Sequence, residues 1–183
     1  DLEQAQDALF PGILKAARLG YDGKGQVRVQ SKADALAAFE ELGGVDCVLE
    51  ALQPLKDEIS VVVARGLDGE TAIYIPSHNE HRDGILAIST AADAATLQPY
   101  HEAAQQAAVA IAKALDYYGV MCVEFFILDD DSLVANEIAP RPHNSGHFTI
   151  EACLSSQYEQ QVRVMAGLPL GGTDTAQHSI MLN

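Results

Sequence analysis

Asn136-Glu137-Ile138-Ala139-Pro140-Arg141-Pro142-His143-Asn144-Ser145-Gly146-His147 gathers a carboxylate, a guanidinium, two imidazoles and two amides into one short segment. Its two prolines keep it from being a helix. Just upstream, residues 120–128 read as an apolar strand interrupted by one carboxylate, Glu124. Asp129-Asp130-Asp131-Ser132 is a turn signal, and residues 133–138 read as a second strand. Pairing Leu128 with Leu133 across that four-residue loop sets Glu124 opposite Glu137. Residues 124, 126 and 128 then share one face, and 133, 135 and 137 share the facing side. Like charges directly opposed across an antiparallel pair destabilise it, so this hairpin calls for a cation. A hard divalent ion suits the ligands. Magnesium is typically held by one or two carboxylates, with water and substrate phosphates completing its shell. A register shifted by one would instead turn one glutamate to solvent.

Composition narrows the classes. The chain has 183 residues, 48% apolar and 20% charged, enough for one sizeable core or two small lobes sharing a site. Its net charge of −15, with only eleven basic residues, argues against nucleic-acid binding and against an anionic membrane surface. No apolar run is long enough to span a bilayer, and the first residues lack the pattern of a signal peptide. Cys47, Cys122 and Cys153 lie far apart in apolar contexts. They read as buried free thiols of a reducing compartment, which points to the cytoplasm rather than to a disulfide framework. The chain opens at Asp1 inside what reads as a helix, residues 2–9, and ends at Asn183 after a strand-like run, so it reads as a piece of a longer polypeptide.

The element order is mixed. Residues 13–17 and 26–29 read as strands around a glycine-rich turn, Gly20-Tyr21-Asp22-Gly23-Lys24-Gly25. Ser31 caps a helix running to about Leu42, and Gly43-Gly44 stops it. Strands follow over 46–52, 59–64, 71–74 and 84–89, then the longest helix over 97–118, ended by Gly119. After the carboxylate hairpin a last helix starts near Gln157. This order predicts an α+β fold with largely antiparallel sheets. A boundary falls near 65–69, where a strand gives way to Gly-Leu-Asp-Gly, dividing a small lobe, 1–65, from a larger one, 66–172; residues 173–183 would open a further domain.

Other residues carry weaker signals. Four of the eleven basic residues, Lys15, Arg18, Lys24 and Arg28, fall around the glycine-rich turn. Glycine amides can approach an anion closely and a tip lysine adds a point charge; a solvated hairpin turn fits the same spacing equally well. Lys15, flanked by apolar residues, marks either a sheet edge or a cleft. Glu50 and Glu58 flank the link between two strands, where solvated strand ends are the simpler reading. His81, in Asn-Glu-His-Arg-Asp-Gly, has ordinary turn surroundings. The i, i+4 spacing of His143 and His147 would suit zinc on a helix, but Pro142 and Ser145-Gly146 argue against one. Arg141, His143 and Asn144 make better sense as donors aimed at an anion.

Together these motifs resemble the ATP-grasp carboxylate–amine ligases. The carrying segments are Gly20-Tyr21-Asp22-Gly23-Lys24-Gly25-Gln26, Glu58-Ile59-Ser60, Asn79-Glu80-His81-Arg82-Asp83-Gly84-Ile85-Leu86, Val123-Glu124-Phe125-Phe126 and residues 136–149. The likeness is greatest to the branch that carboxylates 5-aminoimidazole ribonucleotide to N5-carboxyaminoimidazole ribonucleotide in purine biosynthesis; other branches use formate or form carboxylase subunits, and a non-catalytic ATP-binding module is a further alternative. The resemblance implies two lobes enclosing a nucleotide cleft, with ATP and Mg2+ as cofactors. It implies that Lys15 and Gly20, Tyr21, Asp22, Gly23, Lys24, Gly25 and Gln26 hold and cover the phosphates. Glu50, Ala51, Leu52 and Gln53 would line the adenine slot, Glu58 would meet the ribose, and His81 would sit near the nucleotide. Glu124 and Glu137 would bind magnesium, with Asn136 beside them. Arg141, His143 and Asn144 would hold bicarbonate and then carboxyphosphate. It further implies a homodimer. Two departures stand out: Ala17 and Leu19 occupy a usually more basic, glycine-rich approach to the turn, and Leu52 stands where an aromatic residue is usual.

Overall fold

The computed structural model describes residues 2–18, 25–82, 84–91 and 98–183. The expectations for Gly20, Tyr21, Asp22, Gly23 and Lys24 lie outside these residues. The chain forms two compact units, one of them Asp1–Pro54 with Asp83–Ile85 and the other Leu55–Arg82 with Leu86–Asn183.

The first unit is a three-stranded antiparallel sheet in the order β2-β1-β3, built from β1 (Gly12–Ala16), β2 (Gln26–Val29) and β3 (Cys47–Ala51). Helix α1 (Lys32–Glu41) is capped as expected by the Ser31 hydroxyl, which accepts from the Asp34 amide at 3.2 Å. Gly43 and Gly44 end it with positive φ angles of 81° and 65°. Leu14, Val29, Ala35 and Ala38 form the buried core. Alternation along the strands therefore sends Ile13, Lys15, Arg28 and Glu50 to the face opposite that core. The helix expected over residues 2–9 is instead two short 3-10 turns, Leu2–Gln4 and Asp7–Leu9, because Gln6 between them is extended.

The second unit is a seven-stranded sheet. Its strands are β4 (Leu55–Arg65), β5 (Thr71–Ile73), β6 (Ser77–Arg82), β7 (Ile85–Ala91), β8 (Gly119–Leu128), β9 (Leu133–Ala139) and β10 (Ser179–Leu182). The order is β10-β7-β6-β4-β8-β9, with β5 also on β4. Odd-numbered residues of β4 and β8 (Ile59, Val61, Val63, Met121, Val123, Phe125, Ile127) pack against Ala104, Ala108 and Ala112 of helix α2 (Gln98–Ala114). Alanines four apart give the helix a flat stripe, and each large apolar side chain buried there contributes roughly 1.5–3 kcal/mol. Even-numbered residues Val62, Ala64, Val120 and Cys122 build the opposite face with Tyr74, Phe148 and Ala152. On that same face the even positions turn polar farther along: Ser60 and Glu58 on β4, Glu124 on β8. The lone carboxylate in an apolar strand thus marks where the covered part of the face ends.

Several expectations change. The division falls between Pro54 and Leu55, not near 65, because the valine-rich β4 pairs with β8 along ten residue positions and belongs wholly to the second sheet. Residues 79–84 were expected to be a turn, yet His81 lies on β6, which pairs with β4. The long helix stops at Ala114 rather than 118, since Asp116 takes a left-handed φ of 46°. Residues 173–183 group with the second unit, where β10 pairs with β7 from Ser179↔Ala91 to Leu182↔Ile88. A four-residue helix, α3 (Thr149–Ala152), precedes α4 (Gln157–Met165).

Candidate functional site

The carboxylate hairpin forms, with a different register at its tip. Leu128 is bonded to Ser132 at 2.9 Å, and Asp131 adopts a left-handed φ of 65°, which closes a three-residue loop. Leu133 therefore pairs with Ile127, not Leu128, and joins the apolar face of Phe125 and Ile127. A register shift between Phe125↔Ala135 and Glu124↔Glu137 leaves Asn136 as the extra residue of a bulge. The bulge restores the expected opposition: Glu124 faces Glu137.

Around this pair the sheet assembles further chemistry on its adjacent strands β6, β4, β8 and β9. Ser60 pairs with Glu124 across β4 and β8. His81 Nδ1 lies 3.0 Å from Glu58 Oε2, and that carboxylate holds the imidazole pKa above its ordinary value against the opposing effect of burial. Glu124 is pushed above the usual carboxylate range, first by burial and then by the charge of Glu137; His81 and Arg141 work against this. Among the described residues no group of three or more His, Cys, Asp and Glu is arranged to hold a metal, and no lysine or arginine pairs with Glu137. Two opposed carboxylates without a protein cation match the donor set of a magnesium ion that keeps water and phosphate in the rest of its shell.

After β9 the chain turns at Pro140 and presents Arg141, exposed, and His143 and Asn144, half-buried. Among the described residues Arg141 Nη1 donates only to the neighbouring Pro142 carbonyl, at 2.9 Å, and no carboxylate pairs with it. His143 Nε2 lies 3.5 Å from Glu124 Oε1. This is not an ion pair at neutral pH, because burial and the charges of Arg141, His147 and His81 push His143 down to about 4. Its Nδ1 accepts from the Ser145 amide (3.4 Å) and sits 2.9 Å from the Ser145 hydroxyl, so the proton belongs on Nε2, facing Glu124. Beneath lies a buried polar layer. Asn79 donates to the Ser60 hydroxyl, Ser89 donates to Asn79 Oδ1 at 2.9 Å and to the Ser145 carbonyl at 3.3 Å, and Cys122 Sγ is 3.6 Å from Ser145 Oγ. The Cys122 thiol, fully buried, is pushed up to about 12 and is inert.

The structure thus brings Glu58, His81, Glu124, Glu137 and His143 onto one face, with Asn136 at the bulge and Arg141 and Asn144 in the loop that follows. In the first unit Lys15 is on the central strand, so it is not an edge lysine; it pairs with Glu50 at 2.7 Å. Gln26 pairs with Lys15 across β1 and β2, and Gly25 closes the hairpin base through its carbonyl to the Ala16 amide at 2.8 Å. Ala51 sits on the opposite face from Glu50, its carbonyl taken by Gln53 Nε2 at 3.1 Å, while the Leu52 amide bonds to Pro11 at 2.8 Å. His147 finds a partner in Tyr158, whose hydroxyl is 2.8 Å from Nε2.

A model of the ATP-grasp domain matches residues 1–158 of this sequence. The chain belongs to the ATP-grasp family. Among its ATP-grasp relatives, the N5-carboxyaminoimidazole ribonucleotide synthase of Brucella melitensis is 49% identical over 174 residues, covering 94% of this chain and 48% of that protein. The solved ADP complex of an N5-carboxyaminoimidazole ribonucleotide synthetase superposes with a TM-score of 0.87 at 38% identity, over 97% of this chain and 47% of that one. The Aspergillus clavatus N5-carboxyaminoimidazole synthase, solved with ADP and 5-aminoimidazole ribonucleotide, gives 0.87 at 33% identity, over all of this chain and 48% of that one. The chain spans about half the length of the curated relatives it matches.

Sequence reasoning missed Ser145, Gln157 and the Ser60–Asn79–Ser89 layer as supports of the site. One signal was present: α4 carries Tyr158, Val162 and Met165 outward and, beside a single apolar residue, Val164, buries Gln157 and Gln160 completely. A helix with glutamines in place of an apolar stripe is holding backbone groups, not filling a core.

Proposed function

We propose that this chain is the ATP-grasp part of a cytoplasmic carbon–nitrogen ligase that uses ATP and bicarbonate to carboxylate 5-aminoimidazole ribonucleotide. The observation that carries the reading is the opposed Glu124–Glu137 pair leading directly into Arg141, His143 and Asn144. The names of the relatives and the ligands of the solved complexes support the substrate class. Magnesium, when bound at Glu124 and Glu137, neutralises phosphate charge.

The protein side chains do the remaining work by charge and position. Lys15 and the 20–26 turn take the ATP phosphates; Lys15 then exchanges its Glu50 partner for phosphate. Residues 50–53 receive the adenine and Glu58 the ribose, with His81 alongside. A bicarbonate oxygen attacks the γ-phosphorus, the bond to the β-phosphate oxygen breaks, and ADP leaves. The exocyclic amine of the ribonucleotide then attacks the carboxyl carbon, either of carboxyphosphate or of the carbon dioxide it releases; the carbon–oxygen bond to phosphate breaks, phosphate departs with the electron pair, and the proton lost by the amine passes to the phosphate. Arg141 supplies a full positive charge to these anions. His143, neutral, supplies a directed Nε2–H without consuming a proton. Homodimerisation belongs to the same proposal. The test is ADP release by the intact protein carrying this chain. Release stimulated by both bicarbonate and 5-aminoimidazole ribonucleotide is expected; formate replacing bicarbonate, or no stimulation by the ribonucleotide, refutes it.

A further inference from the structure

Residues 143–147 form a loop with local main-chain bonds, the Gly146 amide to the His143 carbonyl and the His147 amide to the Asn144 carbonyl, both at 3.0 Å, and a second set of bonds reaches His143 from outside the segment. Gln157, on a different element and fully buried, grips both backbone groups of His143: the His143 amide donates to Gln157 Oε1 at 2.9 Å, and Gln157 Nε2 donates to the His143 carbonyl at 2.7 Å. The glutamine is itself fixed, since its own amide donates to Thr149 Oγ1 at 2.9 Å and that hydroxyl donates to the Gly146 carbonyl at 2.7 Å. The loop has been shaped around this side chain. A Cβ on Gly146 would lie 2.6 Å from Gln157 Oε1 and 2.8 Å from its Cδ, so only glycine admits the clamp. Ser145 completes the arrangement by filling the Nδ1 side of the ring.

We propose that Gln157 is a positioning residue of the active site, holding the His143 backbone through paired amide bonds so that Ser145 can fix the ring with Nε2–H toward Glu124. Gln157 touches no reacting atom in this arrangement; it acts through His143. An imidazole donates usefully only if its direction is set in advance, and a misplacement of an ångström at such a group costs about a hundredfold in rate. Two other glutamines of α4 act the same way on other backbone segments. Gln160 exchanges paired bonds with Gly171 at 2.7 and 3.0 Å, and Gln161 Oε1 accepts from the Val120 amide at 2.8 Å. Helix α4 is therefore a rack that aligns three stretches of main chain, one of them in the candidate active site.

The reaction role rests on the proposed reading of His143 as a donor to bicarbonate and carboxyphosphate; the clamp itself does not. The experiment compares wild type with Gln157→Met, which keeps the length and removes both bonds, and with Gln157→Glu, which keeps the acceptor. Nitrogen-15 NMR of the imidazoles, with His143→Gln used to assign the signal, reads the tautomer directly; steady-state kinetics of the intact protein read KM separately for bicarbonate and for Mg-ATP. Wild type is expected to show a single Nε2–H tautomer, and Gln157→Met to show an averaged one. With it, the bicarbonate KM should rise or kcat fall by about tenfold or more, while the Mg-ATP KM stays within about twofold. Gln157→Glu should fall between the two, and carries the comparison if Gln157→Met does not fold. An unchanged tautomer in the variants overturns the proposal, as does a changed tautomer with unchanged bicarbonate kinetics. If wild type shows no bicarbonate dependence, the functional reading fails while the NMR comparison still decides the clamp.

Discussion

Replacing Glu137 with glutamine should move two measurements in opposite directions. Directly opposed residues in an antiparallel pair sit about 5 Å apart. Two unit charges at about that distance repel by roughly 3 kcal/mol at an effective dielectric constant near 20, and by just under 1 kcal/mol in water. Glu137 is exposed, so the value at the surface end of this range applies, about 1 kcal/mol. Glu124 is half-buried and its pKa is raised first by burial and then by the charge of Glu137, so its ionisation costs stability at neutral pH. Glu137→Gln should therefore stabilise the metal-free protein by about 1 kcal/mol at pH 7, read by urea denaturation. A raised folded-state pKa sets the sign of the pH dependence. The cost is fully present above that pKa, and the variant's advantage disappears as pH falls through it and Glu124 takes up its proton. The same substitution removes a proposed magnesium ligand, so Mg-dependent ATP affinity, measured by calorimetry with and without chelator, should drop by at least about tenfold, 1.4 kcal/mol. A variant less stable than wild type without metal, or one whose Mg-ATP affinity is unchanged, refutes the opposed-carboxylate metal site.

The remaining expectations are simpler. His81 should titrate above an ordinary histidine by NMR, and Glu58→Gln should lower its pKa; the stability this pair contributes is present below the unfolded histidine value and is lost as pH rises through the folded one. Gly146→Ala should cost about 1–3 kcal/mol by denaturation, because the new methyl meets Gln157 at 2.6 Å and Val62 at 2.9 Å; no loss would mean the loop is looser than described. Ser31→Ala should cost about 1 kcal/mol by removing the α1 cap, seen as a lowered urea midpoint with unchanged m-value.

The face-to-face glutamates were expected from a two-residue period and a turn signal, and they form. The correct pairing nevertheless comes from a wrong tip register and an unforeseen bulge at Asn136 that compensate each other. The left-handed Asp131 that shifts the tip leaves no mark in a run of three aspartates. His81 was misread because Asn-Glu-His-Arg is poor strand sequence; the β4 pairing overrides propensity there. The boundary moved for a related reason. Strand β4 reads as the end of one lobe when taken alone, and only its pairing with β8, sixty or so positions later, shows which sheet owns it. Gln157 stayed hidden since a buried glutamine is recognised by its partners, and those are main-chain groups that no composition records.

Under the proposed function, bicarbonate is activated by accepting the γ-phosphoryl group beside Arg141, His143 and Asn144. Oxygen-18 bicarbonate tests it directly. When the amine displaces phosphate from carboxyphosphate, the oxygen that attacked the γ-phosphorus leaves with the phosphate. The intact protein turning over ATP and 5-aminoimidazole ribonucleotide should therefore release phosphate carrying one bicarbonate-derived oxygen per turnover. Phosphate free of that label, at the same rate of ADP formation, would rule out phosphorylated bicarbonate as the intermediate.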